Sequence, residues 1–309
     1  MDHRSQGQSG RPPFVEVSST SNFSYVEDFG SYVDDASSFV ASVLPKGRKA
    51  ALVAHSMGGL VALKLAAAEP HLFTCAVVCA PMICFKTAPW PWPVAGFLSN
   101  LFVTLGLGEK HAIGFPKPNW QPEHMTPSWE CTHDDARSRV WTEQQAATPR
   151  TALSGPSNQW VAACYHACSA FMADFLSPAA GSARFPIPYM LVRAGRDRFV
   201  HDESQEQFLE KQDHCRKVVS FPTAYHEVFV EADVVRSPAV DLTATFIKHH
   251  SDKAHHDPAD PIYAPVTVDH DFGDAPKAQP APTGGKVVTA AVVIGGVAVL
   301  AAVILKRRK

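Results

Sequence analysis

The sequence lacks an excess of either charge. Lys and Arg number 28, Asp and Glu 30, and the formal net charge is −2. That excludes the broad basic field with which nucleic-acid binders collect phosphates, and no nucleic-acid partner is expected. The sequence also lacks a C-x-x-C. Its seven cysteines, at 75, 79, 84, 131, 164, 168 and 215, are scattered through apolar stretches. An odd count without paired spacing indicates neither a disulfide framework nor a zinc site. They read as small buried hydrophobes in a reducing compartment. The first eleven residues hold no apolar run, so no signal peptide is expected there. The fifteen histidines include the pairs His249-His250 and His255-His256 near a polar segment. These pairs read as solvated, and no metal or cofactor is expected.

What is present begins with Ala50-Ala51-Leu52-Val53-Ala54-His55-Ser56-Met57-Gly58-Gly59. A short apolar run stops at a serine, two glycines follow, and Leu60 to Ala68 reads as a helix. Strand, serine, tight turn and helix is the layout of a nucleophile elbow, here as A-x-S-x-G. Ala54 and Gly58 are small residues flanking a turn that leaves little room for side chains. The turn would expose the Ser56 hydroxyl and aim the backbone N–H of Met57 at a developing oxyanion.

The rest of the chain alternates helices with continuous apolar strands. Residues 24 to 44 read as an amphipathic helix. Cys75 to Ala80, Ile187 to Ala194 and Lys217 to Phe221 read as buried strands, with a helix over Asp202 to Gln212. Ser237-Pro238 supplies an N-cap and a first-turn proline for a closing helix to about His250. This pattern implies a parallel sheet covered on both faces. Residues 81–185 interrupt it and read as an inserted cap, helical from Asp134 to Phe175. Its first half carries Trp90, Trp92, Phe97 and Phe102, candidates with Trp160 for binding an acyl chain; equally, they could pack the cap onto the core.

Asp197 lies in the loop leaving the third strand, and His226 in the loop leaving the fourth. Functional groups of open α/β sheets gather at such strand ends. Ser56, Asp197 and His226 each end a separate strand, so they can meet at one sheet edge. Their chain order is that of the α/β-hydrolases. Chemistry assigns Ser56 as nucleophile, His226 as general base and acid, and Asp197 as the group that orients the imidazole.

The far end of the chain has a different character. Residues 251–285 contain six prolines and read as a flexible linker. Val287 to Leu305 is nineteen residues without charge, bracketed by Lys286 and Lys306-Arg307-Arg308-Lys309. As a helix it would be about 28 Å long, matching a bilayer core. A single membrane-spanning helix over residues 286–309 is expected. With no leading signal, that makes a tail anchor with the remaining chain in the cytosol; the basic tail would be the cytosolic end if a signal peptide lay further upstream.

Further residues carry a family resemblance. Asp2-His3-Arg4-Ser5-Gln6-Gly7-Gln8-Ser9-Gly10-Arg11 resembles a D-H-R-G-x-G-x-S-x-R loop, with Ser5 in place of glycine. Tyr25 to Phe29 with Tyr32 to Asp35, the elbow, Thr132 to Arg137, Gly155 to Ser157 with Trp160, and His226-Glu227 with Glu231 and Asp233 continue it. From residue 1 to about 250 the chain resembles the lysophospholipase and monoacylglycerol lipase branch of the α/β-hydrolases. The resemblance implies core segments over 1–80 and 186–250, a cap over 81–185, and a single-chain lipid ester as substrate. It also implies strands and a His-Gly loop ahead of Asp2. The expectation is therefore a sheet lacking its first strands, and an oxyanion hole with Met57 as its one donor from this chain. A non-catalytic binding module, or an esterase or peptidase of the same fold, are the alternative expectations.

Overall fold

The structure is a computed structural model. It describes residues 2–15, 22–112, 131–148, 153, 155–177, 184–212, 216–251 and 257–272, and the backbone of 286–294 and 297–305. Residues Met1–Asp271 form one compact unit and Phe272–Lys309 another.

In the first unit, α1 (Gly30–Val43) precedes the elbow strand β1 (Ala50–His55) and its helix α2 (Ser56–Ala68). Strand β2 (Phe73–Cys79) follows. The cap holds α3 (Trp92–Phe102), α4 (Asp135–Ala147) and α5 (Asn158–Phe175). The chain then returns through β3 (Tyr189–Ala194), α6 (Asp202–Lys211), β4 (Arg216–Phe221), α7 (Asp233–Ser251) and β5 (Val266–Thr267). All five strands are parallel and lie in the order β1-β2-β3-β4-β5.

Hydrophobic burial explains the layers. Strand β2 is apolar at nearly every position, and both α2 and α7 pack against it. Leu60, Leu63, Leu65, Phe73, Tyr189, Met190, Phe221 and Phe246 are shielded almost completely from water. Each such side chain contributes roughly 1.5–3 kcal/mol. Strand β1 lies at the sheet edge, and its Val53 remains 53% exposed, so coverage on both faces does not extend to this strand. Helix α7 begins at Asp233, ahead of the expected cap, and runs through Pro238. Its buried face, Val235, Ala239, Thr243, Phe246 and His250, holds the helix on the core across that proline.

Three expectations are corrected. The segment read as a linker is part of the fold from residue 257 to 271. Strand β5 pairs with β4, and Lys217 donates to the carbonyls of Ile262 and Ala264 at 3.0 and 3.1 Å. The pair His249-His250 is not solvated. His250 is buried against Phe246 and bonded to the Tyr263 hydroxyl, and His249 meets Asp260 at 3.0 Å. A polar composition concealed this docking because its partners are main-chain and imidazole groups. His255-His256 and residues 273–285 lie outside the described residues.

The third correction concerns the uncharged run. Where a helix was expected, the second unit has two antiparallel strands, β6 (Lys286–Ile294) and β7 (Val297–Leu305). Valine and isoleucine recur through both, and β-branched side chains favour extended backbone; Gly295-Gly296 separate them in sequence. Among the described residues, no helix is long and apolar enough to cross a membrane.

Candidate active site

Ser56 sits where β1 turns into α2, with a φ of 52°. A positive φ is strained for a side-chain-bearing residue and typical of a nucleophile elbow. The turn is held by the Met82 N–H, which donates to the Ser56 carbonyl at 2.9 Å. The glycine that makes this geometry possible is Gly59. A Cβ there would stand 2.8 Å from Pro81 Cβ and 2.9 Å from its Cα, whereas a Cβ at Gly58 meets open space. The steric demand expected at Gly58 therefore falls one residue later, where α2 passes the exit of β2.

The structure brings together the three residues singled out from the sequence. His226 Nε2 lies 2.9 Å from Ser56 Oγ, and His226 Nδ1 lies 2.6 Å from Asp197 Oδ2. Asp197 Oδ1 accepts from the Phe199 and Val200 N–H groups at 2.7 and 3.0 Å. Burial pushes this carboxyl's pKa up, but the bonds from His226 and the two amides outweigh it and hold Asp197 below the usual carboxylate range. The acid loop and histidine loop lock onto each other. Gly195 N–H donates to Phe221 and Arg196 N–H to Ala224, both at 2.9 Å. A Cβ at Gly195 would stand 2.2 Å from the Pro222 carbonyl oxygen.

A fully buried carboxylate ties the histidine loop to the cap. Glu231 accepts from the Tyr225 and His133 N–H groups at 2.9 Å each, meets His133 Nδ1 at 2.7 Å and Thr132 Oγ1 at 3.3 Å. The His133 ring stacks on Tyr225 at 4.0 Å, and Arg137 bridges Asp134, Asp233 and the Glu231 carbonyl. Thr132 to Arg137 is thus the root from which α4 leaves.

The five cap aromatics are placed differently from one another. Trp92 stacks on Tyr165 at 4.5 Å and meets the edge of Phe85. Trp160 donates its indole N–H to the Tyr32 hydroxyl at 3.0 Å, joining α5 to α1. Trp90 and Phe102 are half-buried, and Phe97 is 55% exposed. The aromatic that the structure sets against His226 is Phe199, with ring centres 5.0 Å apart. Sequence reasoning passed over it, although its place two residues after Asp197 was a usable signal. Lys86 was also missed: its ammonium donates to the Asp197 carbonyl at 2.6 Å. The six described cysteines are buried, and burial raises Cys75 to about 11 and Cys84 to about 12, as suits inert packing groups.

A family model described as "Serine aminopeptidase, S33" (Hydrolase_4) matches residues 1–233. Lysophospholipase L2 of Escherichia coli (strain K12) is 25% identical over 259 residues, covering 81% of this chain and 72% of its own length. Probable lysophospholipase L2 of Haemophilus influenzae is 27% identical over 256 residues, covering 81% and 74%. Among solved structures, a soluble variant of monoglyceride lipase from Saccharomyces cerevisiae is similar with a TM-score of 0.60 and 17% identity, over 81% of this chain and 76% of that one. Monoacylglycerol lipase of Paleococcus ferrophilus is similar with a TM-score of 0.52 and 16% identity, over 72% and 76%. The chain belongs to the serine aminopeptidase, S33 family of α/β-hydrolases.

Proposed function

We propose that this protein is a serine hydrolase that cleaves the ester of a single-chain lipid, a monoacylglycerol or lysophospholipid, through an acyl-enzyme on Ser56. The observation that carries the chemistry is the continuous Ser56–His226–Asp197 relay at 2.9 and 2.6 Å. Ser56 Oγ attacks the ester carbonyl while its proton passes to His226 Nε2. The Met57 N–H faces the oxyanion that forms. The tetrahedral intermediate collapses, His226 returns the proton to the departing alcohol, and the acyl group stays on Ser56. Water then gives a proton to His226 and attacks the acyl carbon; as the bond to Ser56 Oγ breaks, His226 passes that proton to the serine and the fatty acid is released. Asp197 remains ionised throughout and stabilises the imidazolium.

The named activities of the relatives support the lipid substrate, as does the apolar outer surface of the cap: Val94, Phe97 and Leu105 are exposed large hydrophobes on α3 and the turn after it. Turnover of p-nitrophenyl and glyceryl esters of increasing chain length tests this. A preference for long acyl chains is expected. Equal turnover of short and long chains, or turnover of aminoacyl amides alone, would contradict it.

The reading extends to attachment at a membrane through residues 286–309, with the hydrolase unit on the cytosolic side. The uncharged, base-flanked run supports it. In lipid an open two-stranded hairpin would leave its outer backbone groups unpaired, so the proposal requires this run to become helical there. Release of the protein by carbonate washing of membranes, or protection of the hydrolase unit from protease in intact organelles, would contradict attachment or topology respectively.

A further inference from the structure

The histidine beside the nucleophile is bound up with the base. His55 ends β1, and its ring lies 4.5 Å from that of His226. Its Nε2 is 3.1 Å from the His226 main-chain carbonyl. A carbonyl oxygen can only accept, so this bond puts the ring proton on Nε2 and leaves Nδ1 with a lone pair. Facing Nδ1 at 3.4 Å is the Glu227 carboxyl, from the residue directly after His226. Glu227 is itself anchored through its main chain, whose N–H donates to the Cys131 carbonyl at 2.9 Å.

Resting on the functional reading above, we propose that His55 is a positioning residue for the His226 base. Its Nε2–H holds the main chain of His226, and the Glu227 carboxyl faces its other nitrogen. Together they brace the histidine loop against the strand that carries Ser56, so that nucleophile and base keep one spacing. The ionisable groups around the pair are His226, Asp197 and Cys79. Burial, helped by the charge of His226, lowers His55 to about 4, and burial raises Glu227. Both directions are those of groups whose charged forms are disfavoured by burial. The same three side chains, His55, His226 and Glu227, are close enough to hold a metal ion. Both ring nitrogens of His226 are already engaged by Ser56 and Asp197, which favours the bracing role.

The test compares His55→Leu, His55→Gln and Glu227→Gln with wild type, using p-nitrophenyl decanoate turnover and melting temperature. His55→Leu is expected to lose at least tenfold in kcat with KM within twofold. His55→Gln, whose amide can donate to the same carbonyl, is expected to recover to within about threefold of wild type. Glu227→Gln, which can still donate to Nδ1, is expected to stay within about threefold. Wild-type kcat in His55→Leu, or equal losses in the Leu and Gln variants at equal melting temperature, would overturn the inference. Nitrogen NMR of the wild type, with the His55 signal assigned by its loss in His55→Gln, supplies a test that needs no activity and no fold in the leucine variant. The Nε2-protonated tautomer is expected at pH 7, and an Nδ1-protonated ring would overturn it. An inactive wild type would sink the functional reading and this inference together, whereas an active wild type with an unimpaired His55→Leu sinks this inference alone.

Discussion

Two neighbouring glycines separate what a residue type suggests from what its surroundings demand. Gly58 completes the A-x-S-x-G pattern, yet a methyl group there meets nothing, while one at Gly59 runs into Pro81. Gly59→Ala should therefore lose about 1–3 kcal/mol through overpacking, and Gly58→Ala should stay within about 1 kcal/mol of wild type, read as urea midpoints. Equal effects would contradict the account of the elbow. His55 offers a second test at this scale. Its pKa falls from 6.5 to about 4 on folding, so between those values the unfolded chain binds a proton that the folded one does not. Its contribution is neutral above about pH 6.5 and becomes destabilising as pH falls towards 4. Relative to wild type, His55→Gln should gain on the order of 2 kcal/mol between pH 7 and pH 4, checked by denaturation across that range. Glu227, raised by burial, works in the opposite direction in both proteins. The serine, acid and histidine were legible because each ends an apolar strand. Lys86 and the bond from His55 were not, since contacts across loops leave no period in a sequence.

At the scale of elements, the base is held by connections to its neighbours more than by its own loop. Glu231 gathers donors from the cap root and the histidine loop, and removing it would take the acceptor from the buried Tyr225 N–H and break the tie to His133. Glu231→Ala should cost 3 kcal/mol or more. It should also loosen the cap root, visible as faster amide exchange at Thr132 to Arg137. Unchanged exchange there would show that the cap is held by other contacts. Helix and strand positions were mostly readable, because short, mostly apolar segments bounded by turn residues suit strands of a parallel sheet. Helix α7 started earlier than its serine-proline cap suggested, because a buried apolar stripe outweighed a capping signal. The cap's helical half was legible, but which aromatics bind and which pack was not. Trp160 shows the difference, its indole being committed to Tyr32.

For the molecule as a whole, the boundary of the folded unit lies beyond the closing helix. Strand β5, the Lys217 bonds and the His249–Asp260 pair place residues 257–271 in the hydrolase unit. A chain ended after Ser251 should melt at least ~5 °C lower than one ended after Phe272, because it loses an edge strand and strips a buried lysine of its acceptors. Equal melting temperatures would contradict the assignment. The parallel sheet and its cap were readable from alternation and length. The docking of the proline-rich segment was hidden by its composition, and the strands at 286–305 by an absence of charge that suits helix and strand alike.

The central claim is that Ser56 is a nucleophile activated by His226. The most direct measurement is covalent labelling by a fluorophosphonate probe, with the modified residue located by mass spectrometry. The account predicts one adduct, on Ser56, absent in Ser56→Ala and at least a hundredfold slower to form in His226→Ala. Labelling of wild type at another residue, no labelling at all, or labelling of Ser56 at an unchanged rate without His226 would contradict it.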